Sequence, residues 1–453
     1  MKRLLAVLLV AAPLALSPHQ VTAGSIARPN IVIIMSDDQR WDTVTPKFMP
    51  NLTSRMVSGV NATYFTNSFV PNALCCPSRT STLTGDYSHT TGVYNIKGTY
   101  GGFHVFNQDN DTIATTLHAN GYRTGLIGKY LNGYNPKSDY GYTPPGWDRW
   151  NALRTGDYYD YWMTEGGGVA HFGSLPSDYS GRVMDARAQT FITGGNQSKP
   201  FFLYFAPSAP HKPAIADPLD VGKFEALGLP PSTAPSIGED VSDKPSYIKA
   251  GTWNTTIQAQ YEARRLKQFD AIYSMDRLVG DVWDAVPNGT VVVFMSDNGF
   301  LLGEHGRGGK GVPYNESIRV PMVLAVKGGP APSLDPDRIV LNVDLRETLE
   351  GYAGITVATA GQDWNSDPVR ARFVLEHWND PNTNNLTHCG VRSVDWMYVK
   401  YSTGEEELYD EANDPYELTN VASSNPEELS FMRARAQNLC TGGAIYPPDW
   451  PFH

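Results

Sequence analysis

The chain has 453 residues, a formal net charge of −11 and four cysteines. That balance excludes the basic face of a nucleic-acid binder, and so few cysteines exclude a small disulfide scaffold. The length suffices for a large core and two or more domains. An acidic protein can still bind an anion wherever its site concentrates positive charge.

Met1-Lys2-Arg3 is a basic lead, Leu4 to Leu16 is an apolar stretch short for a bilayer, and Val21-Thr22-Ala23 is a small-residue cleavage site. Residues 1–23 therefore read as a secretory signal, and the mature protein is expected to be secreted. No later run reaches about 18 apolar residues, so no membrane span is expected.

Five short apolar runs follow, Ile31–Met35, Thr124–Ile127, Phe201–Phe205, Val291–Met295 and Met322–Val326, each bounded by polar or turn residues as buried parallel strands are. Helical patterns alternate with them, one from about Asp111 to Asn120 stopping at Gly121, and a long one over roughly Gln258 to Val286. The pattern predicts an α/β sandwich with a mostly parallel central sheet over residues 29–360. From 365 to 453 it changes to a small α+β unit. There Phe373–Leu375, Trp396–Tyr401 and Glu407–Tyr409 read as antiparallel strands, with a turn at Thr403-Gly404. A last helix is capped by Asn425, with Pro426 at its first position and Glu428 in capping-box position, and runs to about Cys440.

In open α/β sheets ligands bind beyond the carboxyl ends of the strands. Ile31–Met35 is followed by Ser36-Asp37-Asp38-Gln39, and Val291–Met295 by Ser296-Asp297-Asn298-Gly299. These ends deliver three carboxylates and an amide, hard oxygen donors suited to Ca²⁺ or Mg²⁺. Carboxylates gathered in a cleft need such a cation, or protons, to offset their repulsion. Cationic residues come from separate loops: Lys129 after Leu126-Ile127-Gly128, His211 after the Phe201 run, and Lys310 after the Asp297 loop.

Cys75-Cys76-Pro77-Ser78-Arg79-Thr80-Ser81-Thr82-Leu83-Thr84-Gly85 reads Cys-x-Pro-Ser-Arg-x-x-x-Leu-Thr-Gly. On a helix Arg79 shares a face with Cys75, four residues before it, and the helix N-terminus adds positive charge. The segment resembles the signature of the type I sulfatases, in which the first cysteine becomes formylglycine (3-oxoalanine) through a formylglycine-generating enzyme. That resemblance implies an alkaline-phosphatase-like α/β sandwich and a sulfuric ester hydrolase. It implies a metal, Ca²⁺ or else Mg²⁺, held by Asp37, Asp38, Asp297, Asn298 and the modified Cys75. Arg79 and Lys129 are then assigned to the formylglycine hydrate and sulfate, and His211 and Lys310 to sulfate binding and leaving-group protonation. One hydrate hydroxyl attacks sulfur, with Asp297 as proton acceptor, and the second expels sulfate. Lys310, Tyr314, Arg319 and Pro321 match a downstream family motif, and His305 is expected toward the substrate pocket. With Cys75 and Cys76 inside the signature, Cys389 and Cys440 are left as the natural disulfide pair, the alternative being two unpaired thiols.

Many arylsulfatases carry Gly-Lys-x-His, whereas this chain has Gly128-Lys129-Tyr130-Leu131-Asn132. That stretch and Ala73-Leu74 before the signature resemble the N-acetylglucosamine-6-sulfatase branch. The resemblance implies a sulfated carbohydrate carrying a primary 6-O-sulfate. Trp147, Tyr158, Tyr159 and Trp162, in an aromatic-rich stretch after Lys129, are expected to contact the sugar, since aromatic faces stack on sugar rings. The alternatives are an aryl or choline sulfatase, a phosphonate or phosphodiester hydrolase of the same superfamily, and a silent glycan-binding homologue.

Overall fold

A computed structural model describes residues 28–58, 62–154, 156–330, 332–379, 385–442 and 445–452; the expected signal at residues 1–23 lies outside the described residues. Nine strands form the main sheet: β1 (Ile31–Ser36), β2 (Ala62–Tyr64), β3 (Arg123–Lys129), β4 (Arg149–Leu153), β5 (Tyr161–Glu165), β6 (Gly168–Phe172), β7 (Phe201–Ala206), β8 (Val291–Ser296) and β9 (Met322–Val326). Their order is β2-β9-β8-β1-β7-β3-β4-β5-β6. The centre β8-β1-β7-β3-β4 is parallel.

Both edges are antiparallel, and here the expectation of parallel strands needs correcting: Met322–Val326 runs antiparallel to β8. An apolar run records burial and not direction, and the chain returns to β9 through loops rather than a crossover helix.

Side chains alternate across the sheet. Ile31, Ile33 and Met35 join one core with Val293, Tyr204 and Leu126, under α1 (Cys75–Thr84) and α2 (Ile113–Ala119). Val32 and Ile34 join the other with Leu203, Phe205 and Phe294, under α3 (Ser180–Thr193) and α4 (Thr255–Ala285). Covering both faces requires the near-continuous apolar strands seen in the sequence. Each fully buried Ile or Val contributes roughly 1.5–3 kcal/mol by removal from water.

A four-stranded antiparallel sheet, β10 (Arg372–His377), β11 (His388–Ser393), β12 (Trp396–Tyr401) and β13 (Glu406–Asp410), carries the final helix α5 (Pro426–Cys440). The Asn425 side chain accepts from Glu428 N and caps that helix. Cys440 is bridged to Cys389 of β11. The small sheet also reaches the site. Phe373 packs on Phe69 at 5.1 Å, and Asn385, just before β11, donates to the Lys310 carbonyl at 2.8 Å.

Candidate active site

The parallel register sets the site. Ser36 lies opposite Ser296, and Asp297 N donates to Ser36 O at 3.1 Å, so β1 and β8 end level and release Asp37, Asp38, Asp297 and Asn298 at one edge. Asp38 turns back with φ 64°, a left-handed conformation that aspartate tolerates better than most residues, and its N–H donates to Asp297 Oδ1 at 3.2 Å. Two strands away, Gly128 brings β3 against β7. A Cβ there would lie 2.2 Å from Ala206 O, so glycine is needed for Lys129 to arrive at the same edge.

Cys75 is the first residue of α1 and Arg79 follows one turn later, the whole helix being buried. Gly85, with φ 75°, closes its end by donating to Ser81 O. The Cys75 Sγ lies 3.4 Å from Asp37 Oδ1. Arg79 Nε donates to Asp297 Oδ2 at 2.8 Å and its Nη1 to Lys129 O at 3.0 Å, while Nη2, 3.8 Å from Asp37, has no hydrogen-bond partner. Lys129 Nζ is 2.6 Å from Asp37 Oδ2 and 3.6 Å from Asp297 Oδ2. Lys310 Nζ binds Asp38 Oδ1, Cys75 Sγ at 2.6 Å and Asn298 Oδ1 at 3.1 Å. His211 Nε2 is 3.8 Å from Asp38 Oδ2. Its Nδ1–H donates to Lys212 O at 2.7 Å, which fixes the ring.

Burial raises the Asp37 carboxyl, but Lys129, His211 and Arg79 outweigh it and hold the group at about 2. Asp38 is likewise raised by burial and lowered further by Lys310, for a net depression. Burial, then the Asp297 and Asp37 carboxylates, push the Cys75 thiol up, which disfavours the thiolate. Burial also pushes Cys76 up, to about 12, and that residue faces the core.

The carboxylate and amide oxygens fit a hard cation, and residue 75 would join them only through an oxygen of its modified form. Ligand atoms of Asp37, Asp38, Cys75 and Asp297 all lie within 4.8 Å of one another, and the Lys310 ammonium already rests on Asp38, Cys75 and Asn298. Arg79 and Lys129 are fully buried. Lys310 and His211 keep 13% and 14% of their side chains exposed, so this wall faces solvent.

The remaining expected contacts divide. His305 is fully buried and presents no surface to a substrate; it stacks on Tyr314 at 4.0 Å, with Nδ1 2.6 Å from Glu239 and Nε2 3.5 Å from Glu316. Glu239 and Glu316 compensate the imidazolium, and no sequence pattern links Glu239 to His305. Trp147 sits at the wrong end of the sheet: it packs on Phe202 at 5.7 Å, and its neighbour Asp148 bonds to Thr124, near the start of β3. Tyr159 packs on Tyr179 at 5.6 Å, away from the carboxylates. Tyr158 is buried, and its hydroxyl donates to His211 O at 2.7 Å, so it holds the histidine loop instead of offering a ring. Trp162 stands at the carboxyl edge, near where Leu153 pairs with Met163. It lines a cavity of about 350 Å³ with Lys137, Arg154, Asp157, Asp160 and His171. A cavity of about 610 Å³ opens around Arg123 and Arg149 at the opposite edge.

Sequence reasoning passed over Arg40. It binds Glu304 and Phe300 O, tying the Asp38 turn to the chain beyond Asp297. Its place directly after Ser-Asp-Asp-Gln was the available signal.

The sulfatase family model matches residues 29–355, and a model described as N-sulphoglucosamine sulphohydrolase, C-terminal, matches residues 303–439. An arylsulfatase of Volvox carteri is 28% identical over 475 residues, covering 88% of this chain and 72% of the relative. The human N-acetylglucosamine-6-sulfatase is 29% identical over 498 residues, covering 95% and 89%. A solved structure described as a complex with its substrate D-glucosamine-2-N,6-O-disulfate superposes with a TM-score of 0.77 at 21% identity, covering 91% of this chain and 97% of that one; it shares the fold. With a family model spanning both strand ends, the Cys75 helix and the Lys310 loop, the chain belongs to the sulfatase family and is a sulfuric ester hydrolase.

Proposed function

We propose that the protein is an exported sulfatase that removes a 6-O-sulfate from an N-acetylglucosamine-type sugar, using formylglycine made from Cys75 and one Ca²⁺ or Mg²⁺. The observation carrying this reading is the placement of Cys75 at the first turn of α1, among three carboxylates and three cationic side chains.

Asp37, Asp38, Asp297 and Asn298 would hold the metal, with an oxygen from residue 75. The metal would lower the pKa of a hydroxyl and offset charge on the sulfate. Formylglycine as its hydrate would supply two hydroxyls on one carbon, one to attack sulfur and one to release sulfate. Serine would supply only the first.

The chain's own groups supply the rest. Arg79 and Lys129 are immobilised by Asp297 and Asp37 and need no reorganisation to meet charge developing on sulfate oxygens. The unpartnered Arg79 Nη2 is a donor kept free for that anion. Asp297, bonded to Asp38 N and Arg79 Nε, would take a proton from the attacking hydroxyl. His211, with Nδ1–H committed to Lys212 O, turns Nε2 toward the open side, where the doubly protonated ring would give its Nε2 proton to the departing alkoxide and return to the Nδ1–H tautomer; Tyr158 holds the loop there. Lys310, partly exposed, can swing from the carboxylates to the leaving oxygen.

The sugar reading rests on the Gly128-Lys129-Tyr130-Leu131-Asn132 stretch, on the N-acetylglucosamine-6-sulfatase relatives, and on Trp162 at the carboxyl edge. Export rests on residues 1–23 and on the Cys389–Cys440 bridge, which suits an oxidising compartment. No helix among the described residues is long and apolar enough to cross a membrane. The test is kcat/KM of the modified enzyme on N-acetylglucosamine 6-sulfate, choline sulfate, a nitroaryl sulfate and an aryl phosphate diester. A clear preference for any of the last three would overturn the substrate assignment.

A further inference from the structure

Beside the His211 wall lies a further cavity, of about 320 Å³, between the chain following His211 and one stripe of α4. Lys212, Arg264 and Lys267 line it with Gln260, Gln268 and Phe300, and no carboxylate does. Arg264 and Lys267 are three residues apart, and Gln260 and Gln268 flank Arg264 at four, so all share one face of the helix.

A solvated helix face ordinarily pairs its charges, yet among the described residues no carboxylate lies within ion-pair distance of these three cations. The nearby acid of α4, Glu262, is committed to Arg265 at 2.7 Å. Arg264 lies over the Phe300 ring at 5.7 Å. In a chain with 47 acids to 36 bases, unneutralised positive charge gathered around one cavity favours an anion there. Two of its lining residues tie it to the site: Lys212, whose carbonyl accepts from His211 Nδ1, and Phe300, the third residue after Asp297.

We infer that this cavity is a subsite for a second anionic group, a sulfate or carboxylate, on the same substrate molecule whose ester sulfate lies over Cys75. Lys212, Arg264 and Lys267 then set a preference for polyanionic glycans over singly sulfated sugars. This rests on the sulfatase reading above.

The test compares wild type with the Arg264→Gln/Lys267→Gln double variant, both exposed positions outside the catalytic cluster. The substrates are N-acetylglucosamine 6-sulfate, glucosamine 2-N,6-O-disulfate, and 6-sulfated N-acetylglucosamine linked to a uronic acid. Each exposed ion pair should be worth about two- to fivefold. The double variant should therefore lose roughly tenfold in kcat/KM on a polyanionic substrate, mainly through KM, and less than about twofold on the monosulfate. The loss should shrink at high salt. A loss on the disulfate places the second anion on the same ring, and a loss on the uronate-linked sugar places it on the neighbour. Calorimetric binding of the disulfate to both proteins gives a readout independent of turnover. Equal losses on all three substrates, or unchanged kinetics and binding for both polyanions, would overturn the subsite. Failure of the sulfatase reading would look different, with wild type cleaving none of the sugars.

Discussion

Replacing Lys310 by Met should tighten metal binding while sharply lowering turnover, two effects that a merely structural lysine would not produce together. The Lys310 ammonium sits on Asp38, Cys75 and Asn298, three of the proposed ligands. It competes with a divalent ion for their electrons and repels the ion once bound. A unit charge 4 Å from another is worth about 4 kcal/mol at an effective dielectric of 20, and a divalent ion doubles that. Because 13% of the lysine side chain reaches solvent and its end can swing away, only part of this is felt. The expected gain is about 1.4–4 kcal/mol, or tenfold to a thousandfold in Kd. Met keeps the apolar stem and removes the charge. The assay is calorimetric titration of Ca²⁺ into metal-stripped protein in the thiol form, alongside sulfate release by the formylglycine form. Release should fall by at least about a hundredfold through loss of a proton donor. Unchanged or weaker Ca²⁺ binding in the variant would refute the placement of the metal among these donors.

Peptide mass spectrometry of protein made with a formylglycine-generating enzyme should find the aldehyde at Cys75; Cys76→Ser should keep most activity, Cys75→Ser should not turn over, and an active enzyme with unmodified Cys75 would contradict the mechanism. Opening the Cys389–Cys440 bridge, whose partners are 51 residues apart, should cost up to about 4 kcal/mol by loss of chain restriction, read from denaturant unfolding of the double Ala variant. His305 is lowered by burial but raised more by Glu239 and Glu316, to about 9 from an ordinary 6.5. Its charged form therefore stabilises the fold fully below about pH 6.5, and this is lost as pH rises through about 9, a span of about 3 kcal/mol. Glu239→Gln should flatten that decline in denaturant midpoints, and parallel pH profiles for variant and wild type would refute it.

Much of this protein is written locally. Ile31–Met35 and Val291–Met295 announce buried strands because both sheet faces are covered, and the residues just after them must then emerge at one edge. The Cys75 and Arg79 spacing is a helical repeat, and Asn425, Pro426 and Glu428 mark a helix start by satisfying or sparing free N–H groups. Tertiary structure alone decided the rest. Met322–Val326 runs antiparallel to its neighbour because burial leaves no trace of direction in a sequence. Trp147 and Trp162 lie fifteen residues apart in the same aromatic stretch. One falls by the start of β3 and the other at the carboxyl edge, because β4 runs the length of the sheet between them. His305 reads like a site residue from its loop, yet Glu239, Glu316 and Tyr314 close around it. Local pattern records what each segment buries; which charge meets which depends on contacts between segments hundreds of residues apart, and only the packed chain brings those together.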